Sequence, residues 1–94
     1  MSRVETIAGA LKGIVEIIVT LPKHVEVTTK TAGDTGTKEV TCFDISVHDS
    51  DRGRLLGKAG ANMRALRVLL NSAAYVVGTR YRVTCDGVSH EDQL

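Results

Sequence analysis

Arg54-Leu55-Leu56-Gly57-Lys58-Ala59-Gly60-Ala61-Asn62-Met63-Arg64-Ala65-Leu66 is the stretch on which the reading of this chain turns. Two aliphatic residues run into glycines three apart, and an apolar helical pattern begins at once on the far side. Glycine at both positions lets backbone approach an anion with no Cβ in the way. The helix that follows offers unpaired N–H donors and a partial positive charge at its start. Lys58 adds a cation at the tip. Arg64 and Arg67 lie three apart, on the side of the helix away from its apolar stripe, and Asn62 stands in its first turn. Together they make a cradle for a sugar-phosphate backbone. A bare Gly-x-x-Gly is common by chance, and the plain alternative is a helix turn with Gly60 as a cap. The weight here comes from its place between two helices with no acid nearby.

Working outward, Met63, Leu66, Leu70, Ala73, Ala74 and Val77 recur at helical spacing. The spacing predicts a helix over about 61–77, closed by Gly78. Residues 80–86 read as a strand, with Tyr81, Val83 and Cys85 opposing Arg80, Arg82 and Thr84. Before the loop, Asp49-Ser50-Asp51 are helix-starting residues and predict a short helix over about 51–56. Residues 40–47 alternate Phe43, Ile45 and Val47 against Cys42, Asp44 and Ser46. A second strand is expected over 24–31, and the turn Gly33-Asp34-Thr35-Gly36 joins the two as a hairpin. At the start, Ser2 and Glu5 have capping-box spacing, and Val4, Ile7, Ala8, Leu11, Ile14, Val15 and Ile18 mark an amphipathic helix over about 3–20, ended by Pro22. The order is helix, strand, strand, helix, helix, strand. It predicts an α+β sandwich: a three-stranded mixed sheet covered on one face by three helices. One domain over 1–86 and a polar, frayed tail over 87–94 are expected.

The chain has one Phe, two Tyr and no Trp, which argues against a binder built on aromatic base-stacking platforms. The net charge of +1 decides nothing, but its distribution does. Arg52, Arg54, Lys58, Arg64, Arg67, Arg80 and Arg82 lie between residues 52 and 85 with no Asp or Glu among them, whereas eight of the eleven acids precede residue 52. Such asymmetry is the footprint of an anion-binding face, or of an unevenly charged solvated surface. Cys42 and Cys85 are too few and too far apart for a zinc site, and their strand positions suit small packing residues. No metal or cofactor is expected. His24, His48 and His90 are scattered, and no nucleophile or carboxylate pair accompanies them, so an enzyme is not expected. Gly53 to Lys58 imitates a Walker A loop, but the spacing is one residue short and Ala59 stands where Ser or Thr is required. The apolar stretch 7–21 is interrupted by Lys12 and Glu16 and is too short to span a bilayer, and the N-terminus lacks a signal-peptide pattern; a cytosolic location is expected.

The segment from Arg54 to Leu66 resembles the KH signature: an aliphatic pair, Gly-x-x-Gly, then aliphatics on the next helix. The element order resembles the type II, prokaryotic arrangement. Size and the start of the chain look like the small bacterial single-KH proteins of the KhpA type, over about residues 3–86. The Lys-Ala pair in the loop and the polar tail depart from the family's usual pattern and leave target preference open. The resemblance implies binding of about four nucleotides of single-stranded RNA, or DNA, along the loop. Gly57, Lys58, Ala59 and Gly60 would hold phosphates, with Arg54, Asn62, Arg64 and Arg67 around them. Leu55, Leu56, Met63 and Ile45 are candidates for an apolar base groove or, equally, for the core. The turn 33–36 would be the variable loop at the groove edge. The resemblance also implies an RNA chaperone that pairs with itself or with a larger KH/R3H protein. Against this stands use of the fold chiefly for protein association, with the loop at an interface.

Overall fold

The computed structural model describes residues 2–33 and 39–87. Most of the expected turn 33–36, and the tail from residue 88 with His90, lie outside the described residues. Helix α1 (Arg3–Ile18) is followed by strands β1 (Glu26–Gly33) and β2 (Glu39–Ser46), helix α2 (Arg52–Leu56), helix α3 (Ala61–Val77) and strand β3 (Arg80–Cys85). The order is the expected one. Ser2 caps α1: its Oγ accepts from the Glu5 N–H at 3.1 Å. Gly78 ends α3 in the left-handed region, with φ of 70°.

The sheet order is β1-β2-β3. β1 and β2 run antiparallel, Val27 opposite Ile45 and Thr31 opposite Thr41. β2 and β3 run parallel, Val40 beside Arg80 and Ile45 beside Cys85. A parallel pair needs a crossover, which α2, the Gly-x-x-Gly loop and α3 provide. One sheet face carries Phe43, Ile45, Tyr81, Val83 and Cys85 into the core, where they meet Leu11 and Val15 of α1, Leu55 of α2, and Met63, Leu66, Leu70 and Ala74 of α3. Each fully buried aliphatic side chain contributes about 1.5–3 kcal/mol through removal from water. Phe43 and Tyr81 meet edge to face at 5.5 Å. Burial pushes the Cys85 thiol up to about 11, aided by the neighbouring Asp86, and the side chain packs in the core.

Helix α1 stops at Ile18, two residues short of its expected end, and Asp51 explains why. Asp51 is fully buried. Its carboxylate accepts from the Thr20 N–H at 2.9 Å, the Thr20 hydroxyl at 2.8 Å and the Leu21 N–H at 2.9 Å. The chain after α1 is drawn to this anion and leaves the helix to reach it. β1 correspondingly begins at Glu26, after a 3₁₀ turn over Pro22–His24. Burial works to raise the Asp51 pKa, but the donors from Thr20 and Leu21, with Arg54 nearby, prevail and hold it below the usual carboxylate value.

Candidate nucleic-acid interface

The loop is built from backbone that only a glycine-rich sequence adopts. Gly57 has φ of 76° and ψ of 171°. A Cβ there would stand 2.8 Å from Asn62 Cγ and 2.9 Å from the Asn62 backbone nitrogen. Lys58–Gly60 form a single 3₁₀ turn in which Ala59 (φ 54°, ψ 30°) and Gly60 (φ 76°, ψ 15°) are both left-handed. For Ala59 that conformation costs on the order of 1 kcal/mol, strain held at the tip of the loop.

The loop's carbonyls are engaged within the protein. Gly60 N–H donates to Gly57 O at 3.1 Å, and Ala61 N–H to Lys58 O. Arg64 donates Nη1 to Ala59 O at 2.9 Å, and Asn62 donates Nδ2 to Arg54 O at 2.8 Å, closing the end of α2. The Lys58 and Ala59 N–H groups head the turn, where no carbonyl of a preceding turn can satisfy them. They stand beside the start of α3, whose first N–H groups are likewise without helical acceptors, the kind of donor set that an oxyanion can take up.

The structure brings Arg54, Gly57, Lys58, Ala59, Gly60, Asn62 and Arg64 together around this turn. Lys58, Ala59 and Arg54 are exposed. Arg54 stands 3.9 Å from Asp51. Asn62 and Arg64 fasten the loop, a role not read from their positions in sequence. A guanidinium has five donors, so Arg64 keeps others for a ligand. Arg52 is taken up by Asp49 and Asp86, each at 2.9 Å, so the charge asymmetry of the sequence is smaller in space than along the chain.

Arg67 is one turn further along α3. It lines an open groove of about 650 Å³ between α3 and the outer edge of β3, together with Asn71, Tyr75, Arg80 and Arg82. Of the four apolar groove candidates, Leu55, Ile45 and Met63 are in the core, at 0%, 0% and 3% exposure, and Leu56 is half-buried against it. The outer face of α3 is apolar: Val68, Leu69 and Val76 are 59–72% exposed. Among the described residues no cluster of His, Cys, Asp and Glu has the makings of a metal site. No described helix is long and apolar enough to cross a membrane.

A mixed three-stranded sheet under three helices, with Gly-x-x-Gly at the head of the second helix of its crossover, defines a KH domain, the class that clamps nucleic-acid backbone on that loop. Residues 8–85 match the family described as KhpA/KhpB, KH domain, and the chain belongs to that family. No curated protein and no solved structure matches the chain at a significant level. The family is one of small binding modules, not of enzymes.

Proposed function

We propose that this protein binds single-stranded RNA, holding about four nucleotides by their phosphates on Gly57-Lys58-Ala59-Gly60, with Arg54, Arg64 and Arg67 around them. The observation that carries the reading is the loop itself: its carbonyls are engaged internally, two N–H groups head the turn, Lys58 is exposed at the tip, and no acid lies between residues 52 and 85. A type II KH module of bacterial origin acting in the cytoplasm, as a low-specificity RNA chaperone or post-transcriptional regulator, fits this reading. One such site reads few bases, so affinity is weak unless a second site adds to it. Single-stranded DNA is the runner-up ligand.

The test is fluorescence anisotropy with single-stranded RNA at several salt concentrations, comparing the native protein with Lys58→Asp/Ala59→Asp. Both glycines are kept, so the fold is expected to persist. Native binding that weakens with salt, together with its loss in the folded double variant, supports the proposal. Equal binding by both proteins, or none by either, removes the loop from the role.

A second reading, association with another copy or a larger KH/R3H-type partner, is favoured by the exposed Val68, Leu69 and Val76 on α3. A change of solution mass on substituting these residues, and not on the loop change, assigns association to that face.

A further inference from the structure

The groove between α3 and β3 holds what the loop lacks. Tyr75 lines it and is 89% exposed, the most exposed large side chain among the apolar and aromatic residues described. An aromatic ring of this size hides about 150–250 Å² when covered, so a flat partner laid on it gains contact area. Phe43 and Tyr81, the other aromatic residues of the chain, are in the core. Beside Tyr75 stand Arg67 on α3 and, across from it, Arg80 and Arg82 on β3, with no carboxylate among the described residues that line the groove. Asn71 contributes an amide, which can both donate to and accept from a base edge.

The setting is that of an extended anionic chain and not of a compact ligand. The groove is open along its length. One wall is a helix and the other a strand edge whose far side carries no partner strand among the described residues, so main-chain N–H and C=O groups border it. β3 is an edge strand of the sheet, so Arg82, exposed on it, reaches the groove that α3 and this edge enclose. Tyr75 is fourteen residues beyond Ala61 on the same helix, which places it ~21 Å from the loop along the helix axis. Arg67 sits between them.

We propose that the α3–β3 groove is a second RNA subsite, in which Tyr75 stacks on a base and Arg67 and Arg82 hold the adjoining phosphates of a strand already anchored on the loop. This rests on the RNA-binding reading and adds a length requirement to it. The preferred ligand is longer than the four nucleotides the loop alone engages. The mechanism is ordinary for single strands: a flat ring takes any base, so this subsite adds affinity and little sequence preference.

The experiment is a length series of single-stranded oligouridylates of four, eight and twelve nucleotides, read by anisotropy at fixed salt. The proteins are the native chain, Tyr75→Ala, Tyr75→Phe, Arg82→Ala and Lys58→Asp/Ala59→Asp. Native affinity is expected to rise by about tenfold or more from four nucleotides to twelve, beyond the statistical gain of extra registers. Tyr75→Ala removes that gain and leaves four-nucleotide binding unchanged, and Tyr75→Phe keeps it. Arg82→Ala reduces the gain and the salt slope. Because Tyr75 is exposed, all its variants should fold, and circular dichroism checks this. Loss of binding in the loop variant, with the same length gain in Tyr75→Ala as in the native chain, overturns the subsite and leaves the loop reading standing. No binding by the native chain at any length overturns both. A Tyr75→Ala protein that changes solution mass while keeping its length gain makes the residue part of a protein interface and also overturns the subsite.

Discussion

Two junctions in this chain each gather backbone donors at a helix end, and they are completed in opposite ways. Where α1 gives way to β1, the N–H groups of Thr20 and Leu21 close on the Asp51 carboxylate, an anion the protein carries itself. Where α2 gives way to α3, the Lys58 and Ala59 N–H groups head a turn whose carbonyls are already bonded inward, and no carboxylate among the described residues accepts from them. The first junction is finished on folding. The second is left for an anion from outside. Backbone donors are therefore structural in one place and, in the proposed function, a binding site in the other, and what separates them is whether an acid thirty residues away is turned toward the donors.

Removing the internal anion gives the largest expected effect. Asp51→Ala takes the shared acceptor from two backbone N–H groups and the Thr20 hydroxyl and empties a fully buried site. It should lower Tm by roughly 10 °C in thermal unfolding, while the loop, in what remains folded, keeps its RNA affinity. The same carboxylate makes stability depend on acid. Its folded pKa is depressed, so its contribution is complete above the ordinary carboxylate value and is lost as pH falls through the lower folded value. Asp86, which accepts from Ser46 and Arg52, is depressed as well and loses its contribution in the same direction. Denaturant titrations between neutral and acid pH should show stability falling in the native chain and falling less steeply in Asp51→Asn.

Gly57→Ala should come next. Its Cβ would press on Asn62 in a backbone region that alanine rarely adopts, so a loss of about 1–3 kcal/mol is expected in denaturant unfolding, with RNA binding weakened at temperatures where the protein is still folded. The smallest effect belongs to Asn62→Ala. It removes the donor to Arg54 O and should cost about 1 kcal/mol, with a modest fall in RNA affinity as the loop loosens. If Asn62→Ala weakened RNA binding as strongly as Lys58→Asp/Ala59→Asp, Asn62 would be a ligand contact as well as a fastener.

Much of this was legible in the sequence because the signals were local. The stripe of Met63, Leu66, Leu70 and Ala74 located α3, Gly78 its end, and the paired glycines the loop. The less legible features depend on residues distant in sequence. Asp51 reads as a helix starter, yet its side chain is turned to Thr20, and α1 is two residues shorter for that reason. Asn62 and Arg64 are well placed to meet a phosphate, but which acceptor a side chain takes is not encoded in spacing, and both face carbonyls of their own loop region. Leu55, Met63 and Ile45 fit a groove or a core equally well until the sheet and helices close over them. The low aromatic count pointed away from stacking, but a count cannot tell that one tyrosine of two stays outside while the other is buried.

The parallel pairing of β2 with β3 has a consequence for when the site can exist. Its partners are forty residues apart, Val40 with Arg80 and Ile45 with Cys85, and the Gly-x-x-Gly loop lies inside the segment that must close between them. The ring of chain is long, and its closure entropy must be met before the pairing returns any energy. The β1–β2 hairpin can form from neighbours alone. The cradle is held in shape only once β3 has docked beside β2 and fixed α3 across the sheet. During synthesis, competence to hold RNA is thus expected to arrive late and in a single step, after nearly the whole described chain has left the ribosome.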